Sequence, residues 1–321
     1  MMNIIANPIF LEHDTGQHPE NRQRLECLNI EEYTEIKVDG EEYLPLVHER
    51  AHIQQIRDAA AQGATWIDQD TFVGARSFDV AVAAVGATIM SSTANGFALV
   101  RPPGHHAYHD HSSGFCLFNN LAVAVENLRR EGKRVFILDF DGHLGDGTSQ
   151  YFYHSDAVMF WSLHQFPAFP GKGRSNEIGS GKGKGFTINV PLPPGSGDDI
   201  FMHAFKNYFP VIEQFEPDVI AISAGFDAHR HDPLLQLNLS SNTFYEIGSM
   251  LAGKYSNIFA VLEGGYNTSV LPHCIGNFLA GINKSDLFFD EGHSVSFRTC
   301  WEQYDLDLHY GMSCLSPYWK F

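Results

Sequence analysis

The run Val135–Thr148, reading VFILDFDGHLGDGT, constrains this chain more than any other stretch. It opens with apolar residues of the kind that form a strand buried on both faces. It closes on Asp139, Asp141 and His143. Side chains two apart on a strand share a face. A strand that persists to its last residue therefore brings two carboxylates and an imidazole to one side of its C-terminal end. Ionisable groups finishing a hydrophobic run carry a heavy desolvation cost unless something compensates it. A divalent metal with oxygen and nitrogen ligands would do so; a solvated strand-to-loop junction is the plainer alternative.

The same arrangement recurs along the chain. Asn3–Ala6 reads as a short strand closed by Asn7-Pro8. Phe97–Val100 runs into RPPGHHAYHDHSSGFCLFNN, and Val158–Leu163 into His164. Val219–Ser223 runs into AGFDAH, and Ile258–Leu262 into Glu263-Gly264-Gly265-Tyr266. Helical stretches are predicted over Val47–Gln62, Ser77–Ala94, Asn120–Arg130, Asp199–Phe215 and Asn242–Lys254, several with capping residues at their ends. Strands alternating with helices predict an α/β fold, an open and mostly parallel sheet flanked by helices. Ligands of such sheets sit beyond the carboxyl ends of the strands. Every candidate reactive residue falls at that end, which points to one site assembled from several loops.

At 321 residues, 44% of them hydrophobic, the chain can bury a large core as one α/β domain or two smaller ones. Asp plus Glu number 38 against 21 Lys plus Arg, a formal charge of −17. That balance makes the chain a poor candidate for non-specific nucleic-acid binding and steers basic substrates towards it, weakly and in a salt-dependent way. The five cysteines are scattered without C-x-x-C spacing, so neither a disulfide framework nor a zinc knuckle is expected. MMNIIANPIF lacks the charged and long apolar regions of a signal peptide, and no apolar run reads as a membrane span. A cytoplasmic setting, with no membrane partner, is the expectation.

Asp141 and His143 need a third ligand, and Asp227, after VIAISAGF, is the obvious candidate. Three protein ligands leave positions open for water and substrate, the mark of a catalytic rather than a structural metal. His105-His106 offer imidazoles for acid–base work near neutral pH, although paired histidines are often only surface or hydrogen-bonded residues. Tyr266, after a double glycine, could donate to a developing oxyanion, or could simply pack. Gly114-Phe115 and Phe169-Pro170-Gly171 place aromatics on flanking loops, forming either a surface cluster or the walls of a narrow apolar pocket.

RPPGHHA, GFCLFNN, DFDGHLGDGT, SLHQFPAFPGKG, NVPLPPGSGD, SAGFDAH and EGGY, in this order, resemble the histone deacetylase superfamily with its arginase-like α/β fold. The wording is closest to class II-like and bacterial amidohydrolase or acetoin-utilisation-type members. The likeness spans roughly residues 5–282. It implies zinc-dependent hydrolysis of an acetamide on a primary amine, with an acylated lysine or other acylated amine as partner. By resemblance, Asp141, His143 and Asp227 are the metal ligands, for zinc or, given the oxygen-rich set, iron(II). His105 and His106 are the tandem histidines, His106 the general base and acid. Asp139 and Asp146 are their respective carboxylate partners, and Tyr266 is the transition-state tyrosine. Gly114, Phe115 and Phe169 line the alkyl tunnel, and Asp70 is the rim aspartate that grips the substrate main chain. A structural potassium site would fall on Asp139, Asp141 and Ser162 with main-chain oxygens of His143 and Leu163. A second would use Phe152, Ser155 and Val158. Arg24 is similar, more loosely, to an arginine of the internal product channel.

The chain departs from the pattern it resembles at Leu144, where many members of that family carry a second histidine. Leu234 stands where polyamine-specific relatives carry an acidic gatekeeper, which favours acyl-lysine over acetylpolyamine substrates. The whole of residues 1–321 is expected to be a single deacetylase domain. In it, 285–321 form a C-terminal extension whose aromatics could cover the sheet edge, make a homo-oligomer contact or shape the pocket mouth. The alternatives are a polyamine or other small-molecule amidohydrolase, an inactive acyl-lysine-binding relative, and a ureohydrolase, which would need a two-metal cluster.

Overall fold

The computed structural model describes residues 1–321. Strands β1 (Asn3–Ile5), β4 (Gly96–Ala98), β5 (Val135–Asp139), β6 (Val158–Gln165), β7 (Thr187–Leu192), β8 (Val219–Ala224) and β9 (Ile258–Leu262) form one sheet, ordered β1-β4-β9-β8-β5-β6-β7. Every pairing in it is parallel. A two-stranded hairpin of β2 (Thr65–Trp66) and β3 (Phe72–Val73) stands apart. The helices are α1 (Gln23–Glu26), α2 (Arg50–Gln62), α3 (Ser77–Ala94), α4 (Asn120–Arg130), α5 (Asp146–Phe152), α6 (Asp198–Phe215), α7 (Ser241–Lys254), α8 (Leu271–Ile282) and α9 (Arg298–Leu315).

The central strands are buried along their whole length. That is why they read as unbroken apolar runs and not as alternating ones. Helix α3 is long and apolar enough to cross a membrane, but two thirds of it is buried. Its apolar surface is thus spent on the core. Six of the seven strands are those expected from the sequence; the seventh, β7 (TINVPL), is not, because Pro191 argues against a strand interior. The sheet order resolves this, because β7 is an edge strand, where a missing N–H is tolerated.

The topology also locates the site. From β5 the chain passes to β6 on one side, whereas from β8 it passes to β9 on the other, and β5 and β8 are neighbours. Loops leaving adjacent strands in opposite directions open a crevice at their carboxyl ends. One local expectation fails: β5 stops at Asp139 and the chain bends through residues 141–143. Strand alternation therefore does not bring Asp141 and His143 together; a loop does.

The C-terminal extension folds back on the sheet. Helix α9 packs against β7, and Trp319 Nε1 donates to the Gly185 carbonyl at 2.6 Å. Of the roles open to the tail aromatics, covering the edge is the one this packing fulfils. Before α9, residues 290–296 cross the N-termini of α6 and α7 as a strap. Asp198 accepts from the Ser240 and Ser294 amides. Glu291 accepts from the Ser241 amide at 2.8 Å, from His229 Nε2 at 2.9 Å and from Arg230 Nε at 2.9 Å.

Candidate active site

The crevice between β5 and β8 gathers Asp141, His143 and Asp227, whose ligand atoms all lie within 4.8 Å of one another. Both carboxylates are fully buried and oriented by backbone amides. Asp227 Oδ1 accepts from Gly142 N–H and Asp141 Oδ2 from Gly264 N–H, each at 2.7 Å. A Cβ at Gly225 would meet Asp141 Oδ2 at 1.9 Å, so the cradle closes on Asp141 only because that position carries no side chain. His143 Nδ1 lies 2.7 Å from Asp227 Oδ2 and 3.4 Å from Asp141 Oδ1. Burial opposes a charge on His143, but Asp227 and Asp141 outweigh it and lift its pKa to about 10. A pocket that draws a proton onto an imidazole in this way is short of positive charge. Two hard carboxylates and one imidazole, with room for further ligands, suit a catalytic divalent ion.

Beside this group stand the tandem histidines, on the loop after β4. His105 Nδ1 is 3.2 Å from Asp139 Oδ2, and the Asp141, Asp139 and Glu263 carboxylates overcome burial to raise its pKa well above the usual value. His106 behaves oppositely. Burial and the neighbouring His105 push it down to about 4, against the pull of Asp146. Its Nδ1 sits 2.8 Å from Asp146 Oδ1. A neutral His106 that gives its Nδ1 proton to Asp146 leaves the Nε2 lone pair free, the form a general base needs. Tyr266 is half-buried, its ring 4.9 Å from the Arg24 guanidinium carbon, and burial holds its hydroxyl well above the usual phenol range. At neutral pH it is a donor.

Phe169, partly exposed, meets the His106 ring edge-on at 5.0 Å, and Phe115 meets Tyr266 at 5.7 Å. Gly114 is wedged between His106 and Phe169. Asp70 lies on the turn joining β2 to β3, next to Thr71, whose hydroxyl accepts from the Phe115 amide. Leu234 is half-buried, its amide bonded to Asp232. Leu144 is buried and fills space under Gly173. Of the first set of residues expected to hold potassium, Asp139 lies opposite Ser162 in the strand register. The second lies where α5 leads into β6, with the Phe152 carbonyl accepting from the Ser155 amide at 2.9 Å.

Three participants were not singled out from the sequence. Glu263 is fully buried at the end of β9, its Oε2 accepting from the Gly104 and His105 amides at 2.7 and 3.1 Å. It thereby fixes the histidine loop. A glutamate closing an apolar strand is the same signal that drew attention to Asp139. Asp232, pushed up to about 7 by burial and by Asp227, accepts from the Tyr266 amide at 2.7 Å. Tyr108 donates to Asp146 Oδ2 at 2.6 Å, and nothing in the local sequence marks it.

Comparison with known proteins converges on one family. The model of the histone deacetylase domain matches residues 18–282. A probable deacetylase of Archaeoglobus fulgidus is 37% identical, covering 88% of this chain and 87% of its own. The histone deacetylase-like amidohydrolase of Pseudomonas aeruginosa is 36% identical over 73% of this chain and 66% of its own. Among solved structures, the HDA15 HD domain superimposes with a TM-score of 0.88 at 28% identity, covering 99% of this chain and 97% of that one.

Proposed function

The chain belongs to the histone deacetylase family, and from that premise we propose that it hydrolyses the amide of an acylated primary amine. The substrate class is acetyl-lysine, and the metal ligands are Asp141, His143 and Asp227. The observation that carries this reading is the meeting, in one crevice, of the Asp141–His143–Asp227 triad with the His106 imidazole, whose ring lies 6.1 Å from that of His143 and whose Nδ1 is 2.8 Å from Asp146. A divalent ion bound there, zinc by preference, would polarise the amide carbonyl and acidify a water.

The chain's own groups do the rest. His106 Nε2 takes the proton as the water oxygen bonds to the carbonyl carbon. The Tyr266 hydroxyl donates to the oxygen on which charge develops. His106 then delivers its proton to the nitrogen as the C–N bond breaks, releasing amine and carboxylate. Asp146 holds the imidazole in the tautomer these steps need. Phe115 and Phe169 flank the linear chain of the substrate, Asp70 holds its main chain, and Leu234 offers no charge to a polyamine. Potassium ions would occupy the two expected sites in a structural role, and the protein would act in the cytoplasm, alone or as a homo-oligomer.

The test is acetate release by metal-replete protein from acetyl-lysine peptides, other acyl-lysines and acetylpolyamines, alongside Tyr266→Phe. The reading predicts turnover of at least one acyl-lysine, with Tyr266→Phe losing about 10²–10³ in kcat. No release from any substrate would overturn it.

A further inference from the structure

The neighbourhood of Asp146 holds two groups that the proposed reaction does not use. Asp146 Oδ1 accepts from His106, and Oδ2 accepts from the Tyr108 hydroxyl at 2.6 Å. That hydroxyl in turn lies 2.8 Å from Lys172 Nζ. An ammonium has three donors and no acceptor, and a phenol has one proton. If lysine donates to the phenol oxygen, the phenol's proton must go to Asp146. The direction of the chain is therefore fixed: Lys172 to Tyr108, Tyr108 to Asp146, and His106 to Asp146 from the other side.

We propose that Tyr108, tethered by Lys172, is a positioning residue for His106, acting through Asp146; the proposal rests on the deacetylase reading above. A carboxylate gripped at both oxygens cannot swing about its own axis, so the imidazole bonded to it keeps its plane. Without the phenol, Oδ2 has no donor in the protein, and Asp146 is free to share His106 between its two oxygens. The Tyr108 ring is itself braced, stacked on His111 at 4.4 Å with 12° between planes. Lys172 adds a second connection. It belongs to the same loop as Phe169, whose ring lies against His106. One loop thus reaches the base twice, directly through a tunnel wall and indirectly through Lys172, Tyr108 and Asp146. Filling the tunnel and aligning the base are tied together mechanically.

The experiment compares wild type with Tyr108→Phe, Lys172→Met and Lys172→Arg in metal-replete protein, using kcat, KM, bound metal and the downfield proton resonance of His106 Nδ1. Tyr108→Phe is expected to lose about tenfold in kcat, with KM and metal content unchanged. Its Nδ1 proton should move upfield or vanish by exchange. Lys172→Met should lose less, and Lys172→Arg, which restores a cationic donor, should recover most of that loss. Wild-type kcat in Tyr108→Phe with an unmoved resonance overturns the proposal. So does a loss shared by KM, metal content and thermal stability, which would mean simple packing. If wild type turns over no acylated amine, the deacetylase reading fails, and the resonance alone still decides whether Tyr108 positions His106.

Discussion

Replacing Gly114 with alanine tests the placement of the base without touching any proposed metal ligand. A Cβ there would sit 2.6 Å from His106 Cδ2, 2.9 Å from its Cγ and 3.0 Å from Phe169 Cε1. Ordinary contacts of a Cβ begin near 3.4 Å, so the imidazole must retreat by about 0.8 Å, the difference between 3.4 and 2.6. It cannot do so freely, because Asp146 holds its Nδ1. A displacement of about 1 Å at a reacting group costs on the order of 10²-fold in rate. The backbone adds a smaller penalty, since φ is +52° at this position, and a left-handed alanine costs roughly 1–2 kcal/mol. Gly114→Ala should therefore fold with a melting temperature only a few degrees lower, bind its metal stoichiometrically, and turn over about 10²-fold more slowly. Metal analysis, thermal denaturation and acetate release measure the three quantities. Adding Phe169→Ala removes the 3.0 Å contact but not the 2.6 Å one, so the double variant should not recover. A kcat within about threefold of wild type, or full recovery in the double variant, would show that His106 is not the group constrained by this glycine.

Asp227→Ala should abolish stoichiometric metal binding together with activity; full metal occupancy in that variant would sink the ligand assignment. Phe169→Ala should weaken acetyl-lysine substrates while keeping the metal, since each methylene of the substrate chain is worth about 0.8 kcal/mol on burial; unchanged kcat and KM for every substrate would rule out its place in the tunnel wall. Glu20 is buried against Arg101 and Arg24, at 2.5 and 3.0 Å. Its removal leaves two guanidiniums uncompensated, so Glu20→Ala should cost roughly 3–5 kcal/mol in chemical denaturation. Burial works against the Glu20 carboxylate, but Arg101 and Arg24 depress its pKa from 4.5 to about 2. Its stabilisation is thus complete above about pH 4.5 and lost as pH falls towards 2, amounting to about 3 kcal/mol. Denaturation of wild type and Glu20→Ala across that range should show the two stabilities converging at low pH.

Much of this architecture was legible because the central strands are apolar throughout and end in ionisable residues. The runs before Asp139, Asp227 and Glu263 announce both a buried parallel strand and the end of it that matters. The family likeness named the partners within the site. What the sequence hid is of two kinds. Strand β7 and helix α9 lack clear patterns, the first because of Pro191 and the second because polar and apolar residues alternate irregularly along it. They support one another across the sheet edge, and neither signals its partner. Tyr108, Asp232 and Lys172 were silent for a different reason. Each is an ordinary loop residue whose importance arises only when distant segments meet, Tyr108 with Asp146 and Asp232 with Tyr266.

The strap carrying Glu291 has a consequence in time as well as in space. It ties His229 and Arg230, the turn immediately after Asp227, to the start of α7. All seven strands and all three cation-seeking side chains precede it in the chain. A polypeptide emerging from the ribosome therefore exposes its complete sheet before Glu291, whose carboxylate fastens the Asp227 turn, has itself emerged. Until the tail returns, that turn is unfastened on one side, so the final geometry around Asp227 is among the last features of the fold to be set.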